Sequence, residues 1–292
     1  MSNTSPAEAG QKSPLLSRVV RASEATVVPK FLIAGEHGAG KTHAMSSTGD
    51  LRLFAVVFEG NQSKSTIRTA NPDADIFEVK NIKDWRDLYR VIQAGELSEY
   101  DVLGIDSLNE MQAYYDRDFD NMQKEVAKEA ASAAQKKGPF VQAKPKENKW
   151  EKYRALKTNM GNVFHFLRDL PIAVAATIRT KTEMEEETGI QRVKFSLDGD
   201  ARNNVGAHFT ATTYIYKIEG DEVGTNRRCA MFTGPENFPC REMGVLRGIC
   251  VPSVGTWMRA LRGEDPEALG LYIKDARMPG VRNHNRPSTD TF

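Results

Sequence analysis

A glycine-punctuated turn follows four apolar residues near the start of the chain, in the stretch KFLIAGEHGAGKTHAMSS (residues 30–47). The turn fits the pattern G-x-x-x-x-G-K-[ST] without departure. In this pattern glycines let backbone N–H groups turn inward around an anion, the Lys41 ammonium reaches the β- and γ-phosphates, and the Thr42 hydroxyl binds Mg²⁺. A helix starting near Lys41 would add its positive N-terminal end. The predicted nucleotide-binding residues are Gly35, Glu36, His37, Gly38, Ala39, Gly40, Lys41, Thr42 and His43.

A carboxylate that completes a magnesium site is expected at the end of a neighbouring buried strand. Asp106 ends the apolar stretch VLGIDS. An ionised carboxylate in that place is costly unless it faces a cation or hydrogen-bond donors. Thr42 and Asp106 are therefore the predicted metal ligands. The alternative is that Asp106 caps the helix that follows, because Asp and Ser both cap well.

Three more residues are candidates for the reaction itself. Glu59 ends the strand that follows the phosphate-loop helix, where a carboxylate orients or deprotonates an attacking water. The alternative for Glu59 is a solvated residue at a strand end. Thr177 and Arg179 close a later strand (VAATIRTK) and are candidate sensors of the γ-phosphate, although Arg179 also fits an ordinary surface position. Lys41, Glu59 and Thr177 are the predicted catalytic residues.

Strands alternate with helices in the first two thirds of the chain, and a run of strands follows. Apolar runs predict strands at 30–35, 51–60, 74–79, 100–107 and 171–177, with helices from about 82, from 108 to about 137 and from about 148 to 170. Gly138-Pro139 must end the long helix. The order predicts an α/β fold with a mainly parallel sheet, flanked by helices and extended by C-terminal strands that are candidates for antiparallel pairing.

Composition bounds the class of protein. The net charge of +1 indicates no particular class of partner. The three cysteines lack the spacing of zinc ligands, and their odd number argues against a disulfide framework. No stretch approaches the roughly 18 apolar residues of a membrane helix, and the N-terminus lacks a signal-peptide core. These features predict a cytoplasmic protein without a membrane partner. The predicted domains are a flexible arm (1–25), a core (26–254) with a basic helical insertion at about 120–157, and a C-terminal helix with a polar tail (255–292).

These elements, in this order, resemble the RecA-like P-loop ATPases, and especially the minimal phage nucleotide-binding proteins grouped with recombinase-type single-strand annealing proteins. The resemblance spans roughly Lys30 to Met243, and the Walker A loop is its sharp motif. It implies ATP hydrolysis with Mg²⁺, binding of single-stranded DNA, and a role in phage DNA recombination or annealing in the bacterial cytoplasm. It also implies a homo-oligomer or filament, with a single-strand DNA-binding protein as a further partner. Because such sites lie between subunits, Arg227 and Arg228 are candidates for reaching across to the γ-phosphate.

In the same family, two loops that follow the Walker B and sensor strands hold DNA. Between Gln123 and Lys157 the chain has ten Lys or Arg against four Glu, with Trp150 available for base stacking. The alternative is a solvated helix face. The second loop candidate contains the acidic residues Glu183, Glu185, Glu186 and Glu187, which disfavour DNA and favour a hairpin with its tip near Thr188-Gly189. The predicted DNA contacts are Lys136, Lys137, Phe140, Lys144, Lys146, Lys149, Arg179 and Lys181.

Two other functions remain open from the sequence. One is a nucleotide-dependent scaffold or replication accessory protein without DNA pairing activity. The other is a P-loop small-molecule kinase, which the long basic insertion and the late strands fit poorly.

Overall fold

The computed structural model of the chain describes residues 27–137, 149–186, 189–218, 227–274, 276, 278 and 279, without the side chains of 130, 131, 133–137 and 149. The described strands are β1 (Lys30–Gly35), β2 (Leu53–Val57), β3 (Asp75–Glu78), β4 (Val102–Asp106), β5 (Ala173–Met184), β6 (Gln191–Phe195), β7 (Ala211–Ile218), β8 (Arg227–Met231) and β9 (Ile249–Cys250). The described helices are α1 (Lys41–Ser46), α2 (Asn61–Ala70), α3 (Ile82–Gln93), α4 (Leu108–Lys137), α5 (Lys149–Asp169), α6 (Ala201–Asn204) and α7 (Val254–Leu261), and a 3-10 turn covers Val205–His208.

All of these strands belong to one sheet, in the order β3-β2-β4-β5-β1-β7-β8-β9, with β6 paired to β5. The strands from β3 to β7 in this order run parallel, whereas β8, β9 and β6 pair antiparallel. The predicted fold class is therefore confirmed, including the antiparallel extension. Because β1, β4 and β5 are parallel neighbours, their carboxyl ends meet at one edge, where ligands bind in sheets of this kind.

Both faces of the sheet are covered, and β1 shows how its sequence achieves this. Leu32 and Ala34 pack in a cluster with α3, α4 and α5, whereas Phe31 and Ile33 pack in a second cluster with α1, α2 and α7. Successive side chains of a strand point to opposite faces, so an unbroken apolar run fits a strand with helices on both sides. The short phosphate-loop helix is thereby held against the sheet.

The bounds of the elements follow the sequence patterns closely, with two differences. The strand predicted at 51–60 ends at Val57, so Glu59 lies two residues beyond β2. The strand predicted at 171–177 continues to Met184, because its polar second half pairs with β6 instead of entering the core. The end of α4 at Lys137 agrees with the predicted stop, but Gly138-Pro139 itself lies outside the described residues.

The C-terminal helix is packed into the second cluster. The Trp257 ring lies 5.4 Å from that of Phe31 and 5.1 Å from that of Phe232, measured between centroids. The boundary predicted at residue 255 falls within α7, whereas the predicted arm and most of the tail lie outside the described residues. In the described part of the chain, no helix combines the length and apolar character needed to cross a bilayer.

Gly255 joins α7 to the segment that follows α1, and it leaves no room for a side chain. A Cβ built on Gly255 would lie 2.4 Å from the carbonyl oxygen of Thr48. We expect Gly255→Ala to lower the free energy of unfolding by about 1–3 kcal/mol, because backbone must move to admit the methyl group. The matched control is Gly161→Ala in α5, where the same Cβ meets nothing within 4 Å. Gly161→Ala should stabilise by about 0.5–1 kcal/mol. Urea unfolding of both variants measures the two free energies of unfolding. Equal changes in the two variants would contradict this prediction.

Candidate active site

The predicted phosphate loop joins β1 to α1 at the carboxyl edge of the sheet. Gly38 and Gly40 have φ angles of 72° and 106°, a region that residues with a Cβ rarely adopt. Gly40 is also the N-cap of α1, and the first turn of this helix holds no acidic side chain. The loop therefore presents free backbone N–H groups at the positive end of a helix.

Lys41 lies folded onto the loop, with only 9% of its surface exposed. Its ammonium Nζ donates a hydrogen bond to the carbonyl oxygen of Glu36, at 2.7 Å. Burial lowers the pKa of Lys41, and the negative charges of Asp106 and Glu59 oppose that effect. A buried ammonium with one carbonyl acceptor has donors left over for an anion placed in the loop.

Asp106 is almost fully buried at the end of β4, with 2% of its surface exposed. The Thr42 hydroxyl donates to Oδ2 at 3.0 Å, and the Thr177 hydroxyl, from the neighbouring β5, donates to Oδ1. Burial raises the pKa of Asp106, although the hydrogen bonds from Thr177 and Ser63 lower it. The structure thus brings the two predicted metal ligands, Thr42 and Asp106, into direct contact.

The alternative interpretation, in which Asp106 caps the helix that follows, does not agree with the contacts of its carboxylate. The backbone N–H of Glu110 donates to the hydroxyl of Ser107, at 3.5 Å, so Ser107 occupies the capping position before α4. The Asp106 carboxylate instead receives side-chain hydroxyls. One carboxylate and one hydroxyl are hard oxygen ligands, which fit Mg²⁺ together with substrate phosphates and water.

Glu59 lies beside this cluster and is held by two donors at the same oxygen. The Ser107 hydroxyl and the Arg179 guanidinium each donate to Oε1 at 2.8 Å. Arg179 also donates to Glu110 at 3.1 Å, and its backbone N–H donates to the side chain of Asn109. Arg179 therefore bridges two carboxylates, with 37% of its side chain exposed. From the sequence, Ser107 is a candidate only as a helix cap and Glu110 is not singled out; the S-x-x-E spacing after Asp106 indicates a helix start and not these contacts.

The other predicted residues lie further from this cluster or outside the description. Lys181 pairs with Glu183 at 2.7 Å on the β5–β6 hairpin. Arg227 and Arg228 are both exposed at the start of β8, and the Arg228 side chain lies over Gly40 of its own chain. The backbones of Lys136, Lys137 and Lys149 are helical, but their side chains, and all of Phe140, Lys144 and Lys146, lie outside the described residues. Their DNA contacts stay predictions.

A cavity of about 490 Å³ adjoins the outer side of the phosphate loop. It is lined by loop residues 36–39, the β5–β6 hairpin and the end of β7, with Tyr214, Tyr216 and Phe238 as its aromatic residues. Burial raises the pKa of Tyr214 to about 12, so this phenol stays neutral at physiological pH. Lys41, Glu59 and Asp106 do not line this cavity, so we place the chemistry at their cluster.

Comparison with known proteins agrees with this geometry. A family model described as an AAA domain matches residues 28–242, which include β1, the phosphate loop, Glu59, Asp106 and Thr177. No curated protein matches significantly. The match indicates a P-loop domain that binds and hydrolyses a nucleotide. The narrower resemblance to phage recombinase-type proteins is outside this match and stays a prediction.

The variant Asp106→Asn separates two effects of the buried carboxylate: its destabilisation of the free protein and its role in binding the ligand. Because the folded-state pKa is raised above the ordinary value of 3.8, the unfolded chain releases its proton first, so the wild type loses stability as pH rises between the two values. At pH 7 we expect a higher Tm for the variant without ligand, and loss of the Tm increase that Mg²⁺ and ATP give the wild type. Thermal scans with and without ligand measure both effects.

The control for this substitution is Asp101→Asn at the opposite end of β4. The Asp101 carboxylate accepts a hydrogen bond from the backbone N–H of Arg52 at 3.0 Å and lies far along the strand from the loop. This variant should keep the full response to Mg²⁺ and ATP. A normal ligand response in Asp106→Asn would contradict the metal assignment.

Proposed function

The chain belongs to the AAA domain family, and on that premise we propose that it is a Mg²⁺-dependent ATPase that binds single-stranded DNA. The observation that carries the ATPase half is the contact between Thr42 and Asp106, beside Lys41 and Glu59. These residues come from three separate segments of the chain and meet only because their strands are aligned in one sheet. The proximity of the phosphate loop, the Thr42 hydroxyl and the carboxylates of Glu59 and Asp106 supports triphosphate hydrolysis.

The roles of the residues follow from their contacts. The loop N–H groups and Lys41 bind the β- and γ-phosphates, with the ammonium exchanging the Glu36 carbonyl for phosphate oxygens. Thr42 and Asp106 would hold Mg²⁺, which would supply positive charge to these phosphates. Glu59 takes the proton of the attacking water at Oε2, because Oε1 already accepts two hydrogen bonds. Thr177 keeps Asp106 oriented.

Glu59→Gln tests the assigned base. We expect turnover of ATP to fall by about 10²–10⁴-fold with ATP affinity retained, because the amide cannot accept the proton. Glu110→Gln is a matched control, since Glu110 also pairs with Arg179 and its side chain is 29% exposed against 26% for Glu59. Single-turnover hydrolysis and nucleotide titration measure the two quantities. Equal losses in both variants would show that the ion pairs matter and the base assignment is wrong.

The DNA half of the proposal is supported by the surface at the start of α5. Trp150 is 84% exposed and Tyr153 is 54% exposed, which is unusual for large aromatic residues. The ion pair between Lys152 and Asp116, at 2.9 Å, joins this end of α5 to α4, and Lys124 and Lys128 are exposed in the later part of α4. Neither of these lysines forms an ion pair within the described part of the chain. Exposed aromatic rings on α5 and unpaired cations on the adjoining helix α4 are the two kinds of group that bind stacked bases and their phosphates.

The basic segment is less basic in three dimensions than its sequence indicates. Lys152 is shared between Asp116 and Asp120, and Lys157 pairs with Asp200. These aspartates lie outside the window of residues in which the positive excess was counted. The cations available for DNA in the described part of this segment are therefore fewer, and Lys124 and Lys128 remain among them.

Trp150→Ala and the double variant Lys124→Ala/Lys128→Ala test this surface. Loss of stacking should weaken binding of a fluorescent oligo-dT by about tenfold or more. Loss of the two cations should make the salt dependence shallower, by a log–log slope of about 0.7 per phosphate contact. Arg68→Ala, on α2 at the opposite face of the sheet, should change neither. Fluorescence anisotropy over a salt series gives both values, and unaltered binding in all variants would remove this surface from the proposal.

The wider role proposed is in phage DNA recombination or annealing, with a homo-oligomer or filament assembled on the strand and a single-strand DNA-binding protein as a further partner. This role is supported by the order of the motifs along the sequence. It places the protein in the cytoplasm of a bacterial host. ATP binding would favour assembly on DNA, and hydrolysis would favour release.

A further inference from the structure

Arg228 occupies an unexpected position for a residue at the start of an added strand. The antiparallel pairing of β8 with β7 sets Arg228 opposite Lys217, which brings the start of β8 to the edge where β1 ends. Its side chain crosses Gly40, since a Cβ built on Gly40 would lie 2.5 Å from Cδ, 2.7 Å from Nε and 3.5 Å from Cζ of Arg228. The guanidinium therefore lies against the phosphate loop of its own chain.

The guanidinium adds a positive charge beside the N-terminal end of α1. Gly40 caps α1 without a side-chain hydrogen bond, so the positive end of the helix is left uncompensated. The charge of Arg228 adds to the effect of burial in lowering the pKa of His43, one turn into the same helix. In the described part of the chain no carboxylate pairs with Arg228. A cation placed among like charges without a counter-ion is stabilised when an anion binds between them.

We propose that Arg228 binds the phosphates of the nucleotide held by its own phosphate loop, from the side of His43. The ligand class is a nucleoside di- or triphosphate, and the contact is a charge-assisted hydrogen bond in cis. This inference rests on the proposed nucleotide binding and adds a residue to it. It also assigns Arg228 to its own subunit instead of the neighbouring one, which differs from the trans role expected from the sequence.

The geometry gives Gly40 a second reason to be glycine. Beyond its φ of 106°, the space that a side chain would fill at this position is taken by the Arg228 side chain. The arginine can approach the loop backbone this closely only because Gly40 lacks a Cβ. The Arg228 side chain therefore lies against Gly40, although 188 positions separate the two residues in the sequence.

Binding measurements with a fluorescent ATP analogue test the contact. We expect Arg228→Ala to weaken affinity by about ten- to a hundredfold, the usual loss for a charge-assisted hydrogen bond, and Arg228→Lys to keep part of it. Arg68→Ala is the control, because Arg68 is an exposed arginine in the last turn of α2 and has no assigned role at the site. Lys41→Ala should abolish binding. If the wild type binds no analogue, the proposed function fails; if it binds and Arg228→Ala binds equally well, only this inference fails.

Competition with fragments of the ligand identifies the group that Arg228 contacts. Inorganic pyrophosphate should lose affinity in Arg228→Ala as ATP does, whereas adenosine should compete equally well with both proteins. The reverse pattern would overturn the phosphate assignment. An unchanged thermal midpoint without ligand shows that the variant is folded.

Mixing the Lys41→Ala and Arg228→Ala variants, at an ATP concentration too low to saturate Arg228→Ala, distinguishes cis from trans. Lys41→Ala and Arg228→Ala subunits together rebuild a complete site only when the arginine comes from the neighbouring subunit. The cis assignment predicts ATP turnover in the mixture no higher than that of its components measured separately. Recovery of turnover on mixing would overturn it.

Discussion

The Asp106 carboxylate is almost fully buried, and hydroxyl groups from three other segments, those of Thr42, Thr177 and Ser63, compensate for its burial. Thr42 reaches it from the first turn of α1 and Thr177 from the adjacent strand β5. These contacts require β5 to lie between β1 and β4, with all three strands parallel and their ends aligned. The contacts of Asp106 thus link three features of the fold: the order of the strands, the position of α1 and the cluster of reactive side chains. A nucleotide with its metal would replace hydroxyl donors by a full counter-charge at the same carboxylate.

The parts of this arrangement that the sequence predicted are local. The phosphate loop is contiguous in sequence, and its glycines adopt backbone angles that other residues rarely adopt. The strands of the core are unbroken apolar runs with helices between them, so their number and parallel pairing follow from pattern alone. Asp106 and Thr177 were found because polar residues at the ends of such strands meet at one edge of a parallel sheet.

The parts that the sequence did not predict depend on pairing between distant side chains. Nothing local indicates that Arg179 bridges Glu59 and Glu110, or that Arg228 lies over Gly40. For the same reason, the charge count of the basic insertion does not give the number of unpaired cations, because Lys152 is paired with aspartates one helix away. The second half of β5 was missed because its polar residues pair with β6 rather than enter the core.

The length of β5 has a mechanical consequence. Residues 174–179 are bonded to β1, and the very next residue begins the ladder with β6, so the strand passes from the interior to the hairpin without an intervening loop. Arg179 sits at that junction, where its guanidinium holds Glu59. A hydrogen-bonded ladder is stiff along its axis, and no flexible segment is present there to absorb a pull. A displacement of the outer hairpin therefore passes along the backbone of β5 to Arg179, and from its guanidinium to the carboxylate of Glu59.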